Sequence, residues 1–448
     1  MLDKLLSKIM EKLFGYGLYD EEDYENDIVE SDDEDTGTID SGLKATPKGL
    51  LEMLKELTAP YDIDDDETVP VINTPNRTPH LFRAGIDVTL LLITIVTMLF
   101  GLIVLFGLTA TENNIMESPF YYLQRQGMFA LMGFALMTIF CFIDYRILKK
   151  IAVAFYVMAI TMAILVRTFG EYDYASRYII LGGFSFRVTD ILCFSMIFLV
   201  ATFVGSEKKF TLSRFFITVI IVAVVTGASL LANDFSAAFG IYFIALIICL
   251  IKKPGAAIVF TILPIILMFF TFSSSHIISS RLSAWLDPFN DPMGSGWQSI
   301  QSIYNIAAGG VLGMGLGEGS AYQMKYMPDV QSGYILSGIS YQLGLIGSVL
   351  ILVLLSLLVI RIIFIAVNSS DGFAFYFAAG VAAKMTISII FSALTVVNAI
   401  PASSFGGLPF VSYGGTSLLF DFICIGIILN ISRYSSGVKS PSLMRRGR

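Results

Sequence analysis

Residues 290–302 read "NDPMGSGWQSIQS" and place one carboxylate, Asp291, ahead of Pro292, Gly294 and Gly296. Proline and glycine let a backbone turn sharply and come close to a bound molecule. A carboxylate held in such a turn can take the proton of a weakly nucleophilic hydroxyl as a general base. It can equally cap the helix that follows, and these residues alone leave both readings open. Asp287-Pro288, just upstream, is a second Asp-Pro step.

Two other charges lie where charges are expensive. Lys384 sits inside "AAGVAAKMTISII" and Asp421 inside "SLLFDFICIG". An isolated charge at the centre of a membrane helix costs roughly 3 kcal/mol or more. Counted at about 1.5 Å per residue from opposite ends, the two reach similar depths in an antiparallel helix pair. They are expected to face each other or a shared polar cavity. The remaining reactive residues point elsewhere. Cys141, Cys193, Cys249 and Cys424 all lie in apolar runs and read as small buried hydrophobes, with no CxxC or disulfide site. His80 and His276 are far apart, which argues against a His-rich metal site or a Ser/His/Asp triad.

The elements that must position these groups are membrane helices. The chain has 448 residues, 55% hydrophobic and only 15% charged, a composition that suits a multi-spanning membrane protein and not a soluble globular one. Its net charge of -7 is uneven, because more than half of the 36 acidic residues precede residue 70. About ten apolar stretches reach spanning length, near 87–109, 127–143, 149–167, 188–204, 213–231, 235–251, 256–273, 335–360, 374–395 and 415–432. The fold class is therefore all-α and polytopic, with a large extracytoplasmic loop, 274–333, between the seventh and eighth spans. The links "DYRILKK", "GSEKKFTLSR" and "KKPG" and the 436–448 tail are basic, whereas the alternate links are acidic or neutral. By the positive-inside rule both termini are cytoplasmic and Asp291 is outside.

Ahead of the 83–435 membrane domain, residues 1–16 set Leu2, Leu5, Leu6, Ile9 and Leu13 on one helical face and Lys4, Lys8 and Lys12 on another. That pattern suits a helix lying on a membrane or docking a partner. Residues 17–82 are strongly acidic and expected to be largely disordered.

"DPMGSGWQSIQS", followed by "AAGGVLGMGLG", "MPDV" and "LPFVSYGGTSLL" at 408–419, resembles the SEDS family of FtsW, RodA and SpoVE. The resemblance extends through "LIVLFGLTA" (103–111), Arg125-Gln126, "IDYRILKK" (143–150), "ASRYIILGGFSF" (175–186) and "NDFSAA" (233–238), and leans towards FtsW and SpoVE. It implies a peptidoglycan glycosyltransferase of a bacterial cytoplasmic membrane. Such an enzyme polymerises lipid II into glycan carried on undecaprenyl pyrophosphate and works with a class B penicillin-binding protein. The implied catalytic residue is Asp291, acting as general base in an inverting displacement. Pyrophosphate binding would draw on Arg125, Arg177, Arg187 and Lys325, since guanidinium matches phosphate oxygens, although each could instead snorkel. Asp190, Asp234, Gln298, Asp329, Ser412 and Tyr413 complete the expected substrate-binding set. Ser412 and Tyr413 lie in a small-residue segment that could serve helix packing instead. No cofactor is demanded; a divalent cation, Mg or Mn, bridging pyrophosphate to Asp234 or Asp329 is the one the residues allow. Nothing points to nucleic acid, and the N-terminal tail, similar in composition to SepF-type division proteins, suggests cytoplasmic division partners.

The chain also departs from the family pattern. Asp190 and Cys193 stand where Glu and Lys are usual, Gln331 and Gly333 where His and Asp are usual, and Tyr341-Gln342 where Glu-Glu is usual. These departures keep open a scaffold or regulator of the division machinery. A flippase for lipid-linked precursors is the rival of another class, although no convincing internal repeat supports it.

Overall fold

The computed structural model describes residues 85–109, 120–169, 178–181, 184–205, 212–232, 234–252, 276–317, 327, 329–369, 371–403, 405 and 407–435. The 1–16 helix, the 17–82 tail, the 256–273 stretch, Arg177, Lys325 and the 436–448 tail lie outside the described residues.

Nine helices among the described residues are long and apolar enough to cross a membrane. In chain order they are α1 (Val88–Thr109), α2 (Tyr121–Phe142), α3 (Tyr145–Phe169), α4 (Val188–Gly205), α5 (Leu212–Leu231), α6 (Phe235–Lys252), α9 (Ile335–Val367), α10 (Gly372–Val396) and α11 (Gly415–Ser435). Between α6 and α9 lie two short helices, α7 (His276–Leu286) and α8 (Trp297–Gly309), joined by a 3-10 turn at Pro288–Asn290 and the Asp291 turn. An antiparallel hairpin of β1 (Tyr178–Leu181) and β2 (Phe184–Arg187) leads directly into α4. The fold is thus a multi-pass all-α membrane bundle. Among its described residues the large loop contains α7 and α8, with turns at 291–296 and after Gly309.

Burial explains the arrangement. α4 and α11 form the interior: 78% of the apolar window of each is buried, against 22% for α3. Helices apolar on every side are expected at the centre of a bundle, and exposed apolar residues such as Leu131, Phe142, Val153 and Ile220 are ordinary on a lipid-facing perimeter. α2 and α11 approach closely because small residues sit at their crossing. A methyl group on Gly133 would fall on the Phe422 ring at 2.2 Å, and one on Gly426 on the Met137 carbonyl oxygen at 2.5 Å. Close backbone approach through glycine is the usual device where lipid offers no hydrophobic driving force.

Two features were not legible as elements. The hairpin is one. The other is a break in α9 at Gly344, whose φ of 66° and ψ of -162° interrupt the helix. The glycine-rich segment after α8 fills this break. Met314 N–H donates to Tyr341 O (2.9 Å), Gly315 N–H to Gln342 O (3.0 Å), and Leu345 N–H to Gly310 O (2.9 Å). Backbone groups freed at membrane depth need such partners, since lipid offers none. Elsewhere the boundaries differ modestly: α2 and α3 begin at Tyr121 and Tyr145, ahead of 127 and 149, because tyrosines and arginines can form a helix's interfacial turn without being apolar.

Candidate active site

The Asp291 turn explains its own sequence. Ser295 N–H donates to Asp291 Oδ2 (2.8 Å), and the Ser295 hydroxyl donates to the same oxygen (3.2 Å). Gly294 leaves the carboxylate its place, since a Cβ there would fall 2.2 Å from Asp291 Oδ2 and displace it. Gly296 is required because a Cβ there would lie 2.0 Å from the Pro288 carbonyl oxygen. Gly294 therefore makes room for the carboxylate, Gly296 lets the chain pass close to Pro288, and Ser295 fixes the carboxylate's direction. Asp291 is solvent-exposed, and the bonds from Ser295 hold its carboxyl below the ordinary carboxylate value. It is ionised at neutral pH and ready to accept a proton, although a lowered pKa also makes it a weaker base. Ser295 precedes α8, whose N-cap is Gly296 with no side-chain cap bond, so these bonds close the turn and do not cap the helix. The exposure of Asp291 leaves it open to a second reactant.

α7 and α8 are fastened to the segment after α10. Trp285 Nε1–H donates to Asn398 O (3.1 Å), and Asn398 Nδ2–H donates back to Trp285 O (3.2 Å). Arg281 donates to Ala402 O (3.3 Å), and the Ser302 hydroxyl donates to Val396 O (2.7 Å). Asn398 holds a positive φ of 56°, which asparagine tolerates better than most residues.

Beneath this clamp a cavity of about 380 Å³ enters the bundle. Four cations line it, Arg125, Arg187, Arg281 and Lys384, against the carboxylates Asp190, Asp329 and Asp421. Gln298, on the first turn of α8, also lines it; Asp291 does not. The same turn-and-helix unit therefore sends Gln298 to the cavity and leaves Asp291 on the exposed side.

The segment leading into α11 forms another wall. Ser412 and Tyr413 line the cavity. Gln126 of α2 clamps this segment by donating to Ser412 O (3.1 Å) and accepting from Gly414 N–H (3.3 Å). Tyr413 N–H donates to Gln331 O (2.7 Å), and the Tyr413 ring packs edge-on against Tyr122 at 5.0 Å. Arg125 lies over the Tyr121 ring at 4.8 Å.

The electrostatics are organised as two ion pairs. Arg187 bonds Asp190 Oδ1 at 2.6 Å, while Thr416 of α11 donates to Asp190 Oδ2 (2.9 Å) and accepts from Arg187 N–H (3.2 Å). Deeper, Lys384 of α10 donates to Asp421 of α11, and Cys193 lies in the same wall.

Of the expected substrate-binding residues, the cavity gathers Arg125, Asp190, Gln298, Asp329, Ser412 and Tyr413. Asp234 is the exception and needs correction. It is buried, accepts from Thr189 Oγ1 (3.0 Å) and Ala237 N–H (3.2 Å), and caps α6. An acid directly before a helix is used there because the helix's first N–H groups lack partners. Among the described residues no cluster of three or more His, Cys, Asp or Glu side chains could hold a metal ion. Sequence reasoning missed Arg281, although an arginine in the otherwise uncharged "HIISSRLSAWL" was a usable signal. It also missed Ser388, one turn from Lys384 on the same face.

A profile described as a cell cycle protein family, FtsW/RodA/SpoVE, matches residues 87–437. The probable peptidoglycan glycosyltransferase FtsW of Geobacter sulfurreducens is 30% identical over 360 residues, covering 78% of this chain and 96% of that protein. Stage V sporulation protein E of Bacillus subtilis is 31% identical over 364 residues, covering 78% and 97%. Among solved structures, a chain from a study of polymerization and crosslinking by a peptidoglycan synthase complex superposes with a TM-score of 0.65 at 21% identity, covering 78% of this chain and 98% of that one. The rod shape determining protein RodA of Thermus thermophilus gives 0.58 at 18% identity, covering 78% and 97%. At those identities the solved structures speak for the fold, and the sequence matches for the ancestry. The chain belongs to the FtsW/RodA/SpoVE family of multi-pass membrane proteins.

Proposed function

We propose that this chain is a peptidoglycan glycosyltransferase of a bacterial cytoplasmic membrane, polymerising lipid II into glycan strands for cell division or shape. The names of its relatives support the reaction class. The observation that carries the reading is a membrane-embedded cavity rich in cations, roofed by helices that hold an exposed, ionised carboxylate at Asp291. A lipid-linked pyrophosphate suits the first and a sugar hydroxyl suits the second.

In the proposed step, the acceptor hydroxyl attacks the anomeric carbon of the donor sugar and gives its proton to Asp291. The bond from that carbon to the pyrophosphate oxygen breaks with inversion. Pyrophosphate is a weakly basic leaving group, so its charge needs neutralising more than protonating; Arg125 and Arg187 serve that role. A divalent cation at Asp329 would share it. The basic links support both termini being cytoplasmic and the Asp291 side facing outward. A crosslinking enzyme, a class B penicillin-binding protein, is the proposed partner, supported by the structural neighbour's origin in a complex of polymerization and crosslinking. Cytoplasmic division proteins at the N-terminal tail are proposed from composition.

The test is purified full-length protein, with and without that partner, supplied with labelled lipid II. Glycan polymer is expected, absent in Asp291→Asn. Transbilayer movement without polymer, or no turnover in the partner's presence, would replace the enzyme by a flippase or a scaffold.

A further inference from the structure

Both ion pairs in the cavity wall are lopsided. The Lys384 side chain is 15% exposed and that of its partner Asp421 only 4%; for Arg187 and Asp190 the values are 19% and 10%. In each pair both partners line the cavity, and the cation is the more exposed of the two. A pair that served only to neutralise buried charge has no need of this asymmetry, whereas a wall that receives an anion does.

Lys384 stands at the midpoint of α10, about 18 Å from either end, and Asp421 about 9 Å into α11. A lysine ammonium has three donors, and Asp421 takes one. Ser388 lines the cavity one helical turn from Lys384 on the same face. Thr416 and Ser417 line it closer to the Asp291 side. Hydroxyls therefore line the wall between the Asp291 side and an ammonium that Asp421 anchors.

We infer that Lys384, anchored by Asp421, is a phosphate-binding residue at the floor of the cavity, taking a phosphate group of the polyprenyl pyrophosphate. Asp421 is a positioning residue: it anchors the ammonium and is the less exposed member of the pair. This assignment rests on the glycosyltransferase reading for the ligand's identity, but it has its own readout.

The experiment uses full-length protein in nanodiscs and measures binding of undecaprenyl pyrophosphate and undecaprenyl monophosphate. Wild-type protein is expected to prefer the pyrophosphate by about tenfold or more, as an added charge-assisted contact implies. The neutral pairs Lys384→Met with Asp421→Leu, and Lys384→Gln with Asp421→Asn, remove the charges together, so neither leaves an unpaired one. Either is expected to lose that preference while keeping its thermal transition, and Lys384→Arg to keep the preference. Unchanged pyrophosphate affinity in a folded neutral pair overturns the assignment, as does a wild-type protein with no pyrophosphate preference. Glycan synthesis by the wild type is scored separately. Polymer made by a protein whose neutral pair binds normally sinks the assignment alone, and a Lys384-dependent preference without polymer sinks only the glycosyltransferase reading.

Discussion

The bundle uses ion pairs at both of its ends, and they are built differently. At the end opposite Asp291, Arg361 of α9 grips both oxygens of Asp87, with distances of 2.8 to 3.1 Å, and their exposures are nearly equal at 10% and 9%. Asp87 also accepts from Leu90 N–H (2.8 Å) and so caps α1. Nearby, Asn430 and Arg433 of α11 both donate to Cys141 O, and Asn430 accepts from Tyr145 N–H. These polar groups are turned towards other parts of the protein. From mid-span to the Asp291 end the cations of the pairs line a cavity and are the more exposed partners. Similar chemistry thus closes one end of the molecule and furnishes the other. The symmetry of exposure within a pair, more than its presence, tells which job it does.

Breaking the comparison begins with the group of largest expected effect. Asp291→Asn should lower glycan synthesis by about 10²–10⁴-fold, the usual contribution of a positioned base, with an unaltered thermal transition because the side chain is exposed. Next is Asp421→Leu alone, which strands the Lys384 charge in the wall and should destabilise the fold by about 3–5 kcal/mol; a denaturation midpoint close to wild type would mean that water already reaches the ammonium. Asp87→Ala strands Arg361 in the same way and removes the α1 cap. A loss of about 3 kcal/mol is expected, with synthesis per folded molecule unchanged. A fall in specific activity as large as that of Asp291→Asn would erase the distinction between the two ends. Gln126→Ala removes the clamp on Ser412 and Gly414, a loss of about 1–3 kcal/mol, and should raise KM for the lipid substrate more than it lowers kcat. The smallest effect is sought in Ser295→Ala. Ser295 bonding lowers the Asp291 carboxyl, so losing the hydroxyl raises it, and the acidic limb of the pH–rate profile should move to higher pH.

The sequence was most informative where one physical constraint dominates. Twenty or so apolar residues leave few options in a bilayer, so the spans stood out directly. Lys384 and Asp421 were readable as partners because an unpaired charge at that depth is so costly. The Asp291 turn was readable because proline and glycines directly after one carboxylate let the backbone turn sharply. What stayed hidden depends on long-range contact. Asp234 looked like a ligand because nothing local distinguishes a helix cap from a binding acid. Gly344 lies in "YQLGLIGSVL", a run as apolar as any other span, and only the segment that fills the break reveals it. Gln342 and Gly344 are absent from the wall of the cavity that holds Lys384.

That seam has a mechanical consequence. The top of α9 is stitched to residues 310–315 through main-chain bonds, and those residues continue from α8, which begins beside the Asp291 turn. A force applied to α9 from the side, by a neighbouring protein in the bilayer, would be delivered to α8 through backbone and not through deformable side chains. Tilting the upper part of one helix therefore tilts the carboxylate's platform with it.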